Sequence, residues 1–231
     1  FTALFLVFTA VFSEESAEEL FNTALKYQKN GQLDQAEQYY KASLKLKSDV
    51  DAMYNLGILY EDKNNYTEAE KYFKMAYDAG LSKAAYKLGY VYSKLNKKDL
   101  SEKYYLQSVT KDNNIDAMYN LAVLYNSRNK KDDAVKYFKM AADKGDIDAS
   151  YNLGILYDDA GNLDSAEYYY KKAADAVNNN INALYNLAIL YEKQNKINEA
   201  LKYYEKAYNR NYDPKILYKL GLLNDISGNY Q

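Results

Sequence analysis

A seven-residue phrase returns along the chain at an almost constant interval. Tyr-Asn-Leu-Gly-Ile-Leu-Tyr stands at 54–60, and related phrases follow at 86–92, 119–125, 151–157, 185–191 and 218–224. The central leucines are separated by 32, 33, 32, 34 and 33 residues, and they are Leu56, Leu88, Leu121, Leu153, Leu187 and Leu220. A constant period of this length is typical of chains that stack one supersecondary unit many times. The period therefore predicts an extended stack of repeats instead of a globule built around one pocket.

Composition excludes several classes of function. The 231 residues carry a net charge of −2 and include 29 Tyr but no Cys, His or Trp. Nucleic acid is not expected as a partner, because no basic surface is available to hold a phosphate backbone. The most common general base, the thiol nucleophile and the thiolate metal ligands are all missing. We therefore expect no catalytic residues, no metal site and no cofactor.

The N-terminal segment has the character of an export signal. Residues 1–12 are almost all apolar, and Ser13 and Glu14 follow them directly. Twelve helical residues reach about 18 Å, which is short of a bilayer core of about 30 Å, so no stable membrane span is expected. We expect residues 1–13 to be part of a signal peptide and the protein to be periplasmic or extracellular. The alternatives are a shortened membrane anchor or an apolar helix over the first repeat, in a cytoplasmic or membrane-anchored protein.

Each repeat contains the patterns of two helices. The first pattern ends at a residue type that tolerates the left-handed conformation, namely Gly31, Asn64, Asn96, Asn129, Gly161, Asn195 and Gly228. Three residues later stand candidate N-caps of the second helix, Asp34, Thr67, Asp99, Asp132, Asp164 and Asn198. A glutamate follows four of these caps at the capping-box spacing, and these are Glu37, Glu70, Glu102 and Glu167. The spacing predicts a short turn and a capped second helix in each repeat.

Small and aromatic residues occupy set places in both helices. A small residue follows each central leucine, and it is glycine at Gly57, Gly89, Gly154 and Gly221. Because glycine costs a helix interior about 1 kcal/mol, we expect another helix backbone to approach closely there. The second helix carries an aromatic residue between two small ones, and the aromatics are Tyr40, Phe73, Tyr105, Phe138, Tyr170 and Tyr204. This alternation predicts tight interdigitation of neighbouring helices.

These slots, filled together in repeat after repeat, resemble the tetratricopeptide repeat family, with some likeness to Sel1-type repeats. The resemblance covers residues 14–231 and implies an all-α fold, a right-handed superhelical solenoid of helix-turn-helix repeats. The expected repeats are 17–49, 50–81, 82–114, 115–146, 147–180 and 181–213, and the first helix of a seventh lies in 214–231. The sequence departs from the family pattern at the tryptophan-favoured slot, which is never tryptophan here, and between repeats, where proline is absent.

The resemblance also implies a concave groove lined by the first helices. On this reading the peptide-binding residues are Tyr54, Asn55, Lys83, Tyr86, Lys87, Tyr119, Asn120, Tyr151, Asn152, Tyr185 and Asn186. Tyrosine suits such a surface, because it offers a large contact area and a hydroxyl. The competing interpretation is that rings and amides repeated in every unit are framework. Only half of the family's carboxylate clamp is present, since Asn55, Lys83 and Lys87 match it and Phe21 and Leu25 do not.

The leading hypothesis is a non-enzymatic scaffold that binds a protein or a peptide. The alternatives are an envelope-associated protein that binds or remodels glycans, and the repeat region of a larger multidomain enzyme. Further repeats or another domain are expected beyond Gln231.

Overall fold

The computed structural model describes residues 15–176 and 180–228, so the expected signal peptide at 1–13 lies outside the described residues. The described part of the chain is all-α, as expected, and contains no strand. Its helices are α1 (Ala17–Lys29), α2 (Leu33–Leu46), α3 (Val50–Asp62), α4 (Tyr66–Asp78), α5 (Ala84–Lys94), α6 (Lys98–Asp112), α7 (Ile115–Ser127), α8 (Lys131–Asp143), α9 (Ile147–Asp159), α10 (Leu163–Ala174), α11 (Ile181–Lys193), α12 (Ile197–Asn211) and α13 (Pro214–Ser227). Odd-numbered helices are the first and even-numbered helices the second of each repeat.

The chain divides into two compact units, Phe1–Ala117 and Met118–Gln231, and the division falls inside α7. In the first unit, each helix from α1 to α5 packs against the next helix in the chain. In the second unit, the same holds from α8 to α13, and α9 also contacts α11. Packing between consecutive helices is the arrangement that helix-turn-helix repeats require.

The ends of the first helices confirm the sequence prediction. The backbone is left-handed at all seven predicted positions, with φ between 56° and 73°. Glycine and asparagine tolerate this conformation at small cost, so they end the helix and reverse the chain. First helices also begin where expected, since Asp49, Asp146, Asn180 and Asp213 are N-caps whose side chains accept hydrogen bonds from backbone N–H groups.

The predicted N-caps of the second helices are wrong. The observed N-caps lie two residues earlier and are Gln32, Asn65, Lys97, Lys130, Asn162 and Lys196. The helix begins almost directly after the left-handed residue, so residues such as Asp34 lie in its first turn, where they favour the helix dipole. The predicted capping boxes are therefore absent at these helices among the described residues. The one capping box that the structure shows joins Ser16 and Glu19 at α1.

The neighbour of three of the four helix glycines is an aromatic ring, which corrects the expectation of a helix backbone, and Gly221 has no neighbour within 4 Å. A methyl group added to Gly57 would stand 2.5 Å from the Phe73 ring, and one on Gly89 would stand 2.5 Å from the Tyr105 ring. Gly154 meets the Tyr170 ring in the same way. These rings come from the second helix of the same repeat and are almost fully buried. At these positions glycine therefore allows an aromatic ring to pack directly against the first helix.

Tyrosine abundance follows from two aromatic pairs in each repeat. The tyrosine that ends the first-helix phrase stacks on a second-helix tyrosine, and the centroid distance is 5.5 Å for Tyr60 and Tyr72. The other stacked pairs are Tyr27–Tyr39, Tyr92–Tyr104, Tyr125–Tyr137, Tyr157–Tyr169 and Tyr191–Tyr203. Such pairs add about 0.5–1.5 kcal/mol beyond the area that they bury. The second pair, described below, includes the predicted groove tyrosines.

Candidate functional site

The predicted groove residues lie on the first helices of both units. We call the tyrosines and asparagines among them the ladder, which comprises Tyr54, Asn55, Tyr86, Tyr119, Asn120, Tyr151, Asn152, Tyr185 and Asn186. All nine are half-buried, so each side chain keeps part of its surface exposed to solvent. They occupy equivalent helical positions because the first helices repeat the same phrase.

Each ladder tyrosine rests on the buried aromatic residue of its own repeat. Ring centroids are 5.5 Å apart for Tyr54 and Phe73, and 5.6 Å apart for Tyr185 and Tyr204. The other pairs are Tyr86–Tyr105, Tyr119–Phe138 and Tyr151–Tyr170. These contacts are the framework role that the competing interpretation assigns to the rings. They also hold each exposed edge in one orientation, which lowers the entropy cost of a contact with a ligand.

In the second unit, the ladder asparagines join successive repeats. The amide of Asn152 donates to the Tyr119 hydroxyl at 3.4 Å, and the amide of Asn186 donates to the Tyr151 hydroxyl at 3.3 Å. Burial raises the pKa of both hydroxyls, so both stay protonated at neutral pH. Each hydroxyl accepts from an amide, and a phenol that accepts can also donate through its O–H. Two phenols oriented in this way can bind carbonyl groups of an extended peptide.

The two lysines of the half clamp are both engaged. The Lys87 ammonium lies 3.0 Å from a carboxylate oxygen of Glu61, and the Lys83 ammonium lies 4.5 Å from the Tyr54 ring centroid. Lys87 and Glu61 are both mostly buried, so their charges largely offset each other. An incoming carboxylate would have to compete with Glu61 for Lys87. This part of the chain presents a paired charge and an aromatic ring covered by a cation.

Three of the glutamates that the sequence assigned to capping boxes instead form polar clusters with residues of the next repeat. Glu37 of α2 accepts hydrogen bonds from the Tyr60 hydroxyl, Lys63 and Lys41, each at 2.7 Å. Burial opposes ionisation of Glu37, but hydrogen bonds from Lys41, Lys63 and Tyr60 outweigh it and lower its pKa to about 2. Tyr60 and Lys63 belong to α3 and the turn after it, so the cluster ties one repeat to the next.

The same glutamate–tyrosine–lysine cluster recurs in two further repeats. Glu70 accepts from the Tyr92 hydroxyl at 3.1 Å and from Lys97 at 2.8 Å. Glu167 accepts from the Tyr191 hydroxyl at 2.9 Å, and the Lys196 ammonium lies 3.8 Å away. The signal was present in the sequence as a Glu followed 22 to 24 residues later by Tyr and then by Lys. These glutamates are available for the cluster because the N-cap of each helix lies two residues before its predicted place.

Metal-ligand groups and membrane-spanning helices are both absent from the described residues. Within 15–176 and 180–228, no group of His, Cys, Asp and Glu is arranged to hold a metal ion. Over the same residues, every helix is too short or too polar to cross a membrane.

Comparison with known structures gives the same fold. The structure of YrrB, described as a TPR protein with an unusual peptide-binding site, is 29% identical, with 77% of this chain and 95% of that chain covered and a TM-score of 0.60. A structure of MamA is 25% identical, with 75% and 96% covered and a TM-score of 0.59. The Pseudomonas aeruginosa pilF structure is 14% identical, with 89% and 96% covered and a TM-score of 0.70. No curated protein matches this chain.

Family models give the decisive match. One tetratricopeptide repeat model matches residues 15–82 and 86–148, and a second matches residues 149–212. The matched segments include every helix from α1 to α12 apart from short pieces at their ends. The chain belongs to the tetratricopeptide repeat family.

Proposed function

We propose that this protein is a non-enzymatic scaffold that binds an extended peptide segment of a protein partner along the ladder residues within one unit. The observation that carries the proposal is the regular series of half-buried tyrosines, each held by a buried aromatic residue of its repeat and each followed in most repeats by a half-buried asparagine. Rigid tyrosines provide contact area with little loss of entropy. An extended chain can place one backbone carbonyl at the Tyr119 hydroxyl and another at the Tyr151 hydroxyl while its side chains contact the rings.

Family membership and one structural relative support this proposal. Tetratricopeptide repeats are typically scaffolds for protein partners, and YrrB, at 29% identity, is described as having a peptide-binding site. A glycan ligand is favoured less, because sugar rings require open aromatic faces. The Tyr54 ring packs on Phe73 and also lies beneath the Lys83 ammonium. Little of that ring remains for stacking.

The ladder is tested by truncating three of its rings in the second unit. In the combined variant Tyr119→Ala, Tyr151→Ala and Tyr185→Ala, we expect peptide affinity to fall at least about a hundredfold, since interface tyrosines often each contribute more than about 1 kcal/mol. The measurement is a titration with peptides selected on the wild-type protein from a random library.

Two controls separate binding from folding. Tyr168 is 60% exposed and lies outside the ladder, so Tyr168→Ala is expected to leave affinity unchanged. The triple Phe variant keeps the rings and removes the hydroxyls, and we expect it to bind with intermediate affinity. If the Ala variant retains its helical circular dichroism and binds as tightly as the wild type, the ladder is not the binding site.

We also propose that residues 1–13 direct export, which is supported by the apolar run and the small residue at Ser13. Expression of the gene in a bacterial host, followed by N-terminal sequencing of the mature protein, tests this. The expected mature chain begins at Glu14. A mature chain that still begins with the apolar run would reject cleavage.

A further inference from the structure

The polar cluster that joins repeats is replaced by apolar residues between α8 and α9. Val135 stands in α8 where Glu37, Glu70 and Glu167 stand in their helices. The turn after α9, which would supply the lysine, has Ala160, Gly161 and Asn162 instead. Both charged partners of Tyr157 are therefore missing together. Because the glutamate and the lysine are both missing at this junction between repeats, no buried charge is left unpaired.

A pocket of about 530 Å³ occupies this place. Val135, Leu156, the Tyr157 ring and Ala160 form its apolar surface, and Lys131, Asp132 and Asp159 stand at its edge. Its volume lies within the range of pockets that bind small ligands, about 300–1,000 Å³. In α12 the corresponding residue is Leu201, which is larger and buried. Valine is too short to fill the space left by the missing glutamate and lysine.

The charges at the edge select the kind of partner. Asp132 and Asp159 are both exposed, and Lys131 donates to the Asn126 amide oxygen at 2.7 Å. With two carboxylates and one ammonium, the edge has a net charge of −1. A basic group beside an apolar one is therefore favoured over an acidic group.

We propose that this pocket receives a leucine-sized apolar side chain of a peptide in which lysine or arginine stands next to that residue. The proposal rests on the proposed role in peptide binding, but on none of the ladder residues. Val135, Leu156 and Ala160 bury the apolar side chain, while Asp132 and Asp159 face the basic neighbours.

The test uses the full chain and the probe acetyl-Lys-Leu-Lys-amide, with methyl and backbone resonances of Val135, Leu156 and Ala160 recorded by NMR during the titration. We expect saturable shifts at these residues. Acetyl-Lys-Ser-Lys-amide removes the apolar side chain and should bind at least about tenfold more weakly. Acetyl-Glu-Leu-Glu-amide reverses the charges and should also bind more weakly.

Two variants remove the pocket in different ways. Val135→Glu combined with Ala160→Lys rebuilds the cluster that three other repeats contain, and Val135→Leu fills the space without a charge, as Leu201 does. Both should fold and lose the shifts. Absence of shifts in the wild type, or equal shifts in both folded variants, would overturn the proposal.

A third variant distinguishes failure of the pocket from failure of the ladder. The triple alanine variant at Tyr119, Tyr151 and Tyr185 should retain the shifts at Val135, because no ladder residue lines the pocket. If the probe binds but library peptides have the same affinity for the wild type and the triple alanine variant, only the proposed ladder function fails. If library peptides need the ladder and the probe gives no shifts, only the pocket fails.

Discussion

Replacement of Gly154 by leucine is expected to destabilise the second unit by about 3 kcal/mol, because the new side chain would occupy the space of the buried Tyr170 ring. The ring cannot move away easily, since it is 1% exposed and packs among Ala166, Ala173 and Leu187. Hydrogen exchange should show lost protection in α9, α10 and the adjoining helices of that unit, because repeats stabilise mainly their neighbours.

The matched control is Gly221→Leu, which changes the equivalent residue of α13. No atom lies within 4 Å of the place where its Cβ would stand. Leucine is a better helix former than glycine, so this variant should be neutral or more stable by up to about 1 kcal/mol. Equal destabilisation by the two substitutions would contradict the assignment of Gly154 to a ring contact and would indicate a general cost of leucine at this helix position.

Replacement of Glu37 by glutamine is expected to cost about 2 kcal/mol at pH 7, after allowance for partial solvent screening of the cluster. The variant leaves Lys41 and Lys63 without their shared carboxylate. In the folded protein the Glu37 pKa is about 2, against 4.5 as the ordinary value. The stabilisation is therefore present above pH 4.5 and is lost as the pH falls through about 2.

Urea unfolding of both proteins at several values between pH 7 and pH 2 measures this effect. The difference in unfolding free energy between wild type and Glu37→Gln should shrink across the acid range. Glu68→Gln is the control, because Glu68 and Lys71 form an exposed pair with an N–O distance of 3.6 Å, worth at most about 1 kcal/mol. A constant difference for Glu37→Gln at every pH would show that its carboxylate is not the stabilising group.

Most of the fold follows from local sequence signals. Left-handed residues such as Asn64 and Gly161, and N-caps such as Asp49 and Asp146, act within one or two turns of helix. Their effects do not depend on what packs against the helix, so they can be predicted from the sequence without knowledge of the neighbouring helices. The helix pairs and the C-terminal ends of the first helices were predictable for this reason.

The errors concern residues whose partners are distant in sequence. Glu37 has a plausible local role as a capping box, and its real partners, Tyr60 and Lys63, lie 23 and 26 residues away. Likewise, the ring that meets Gly57 comes from Phe73 in another helix. Local spacing alone cannot separate such roles, because the same residue satisfies a local rule and a tertiary one. The pocket at Val135 was also missed, because it forms where a glutamate of α8 and a lysine of the turn after α9 are both replaced by small or apolar residues.

Hydrogen–deuterium exchange of the protein with and without a tightly binding library peptide tests the central proposal most directly. The ladder of the second unit predicts that the peptide increases protection in the first helices α7, α9 and α11, which present Tyr119, Tyr151 and Tyr185. The second helices should change little. Protection confined to the second helices α4, α6, α10 and α12, with the first helices unchanged, would contradict binding along the ladder.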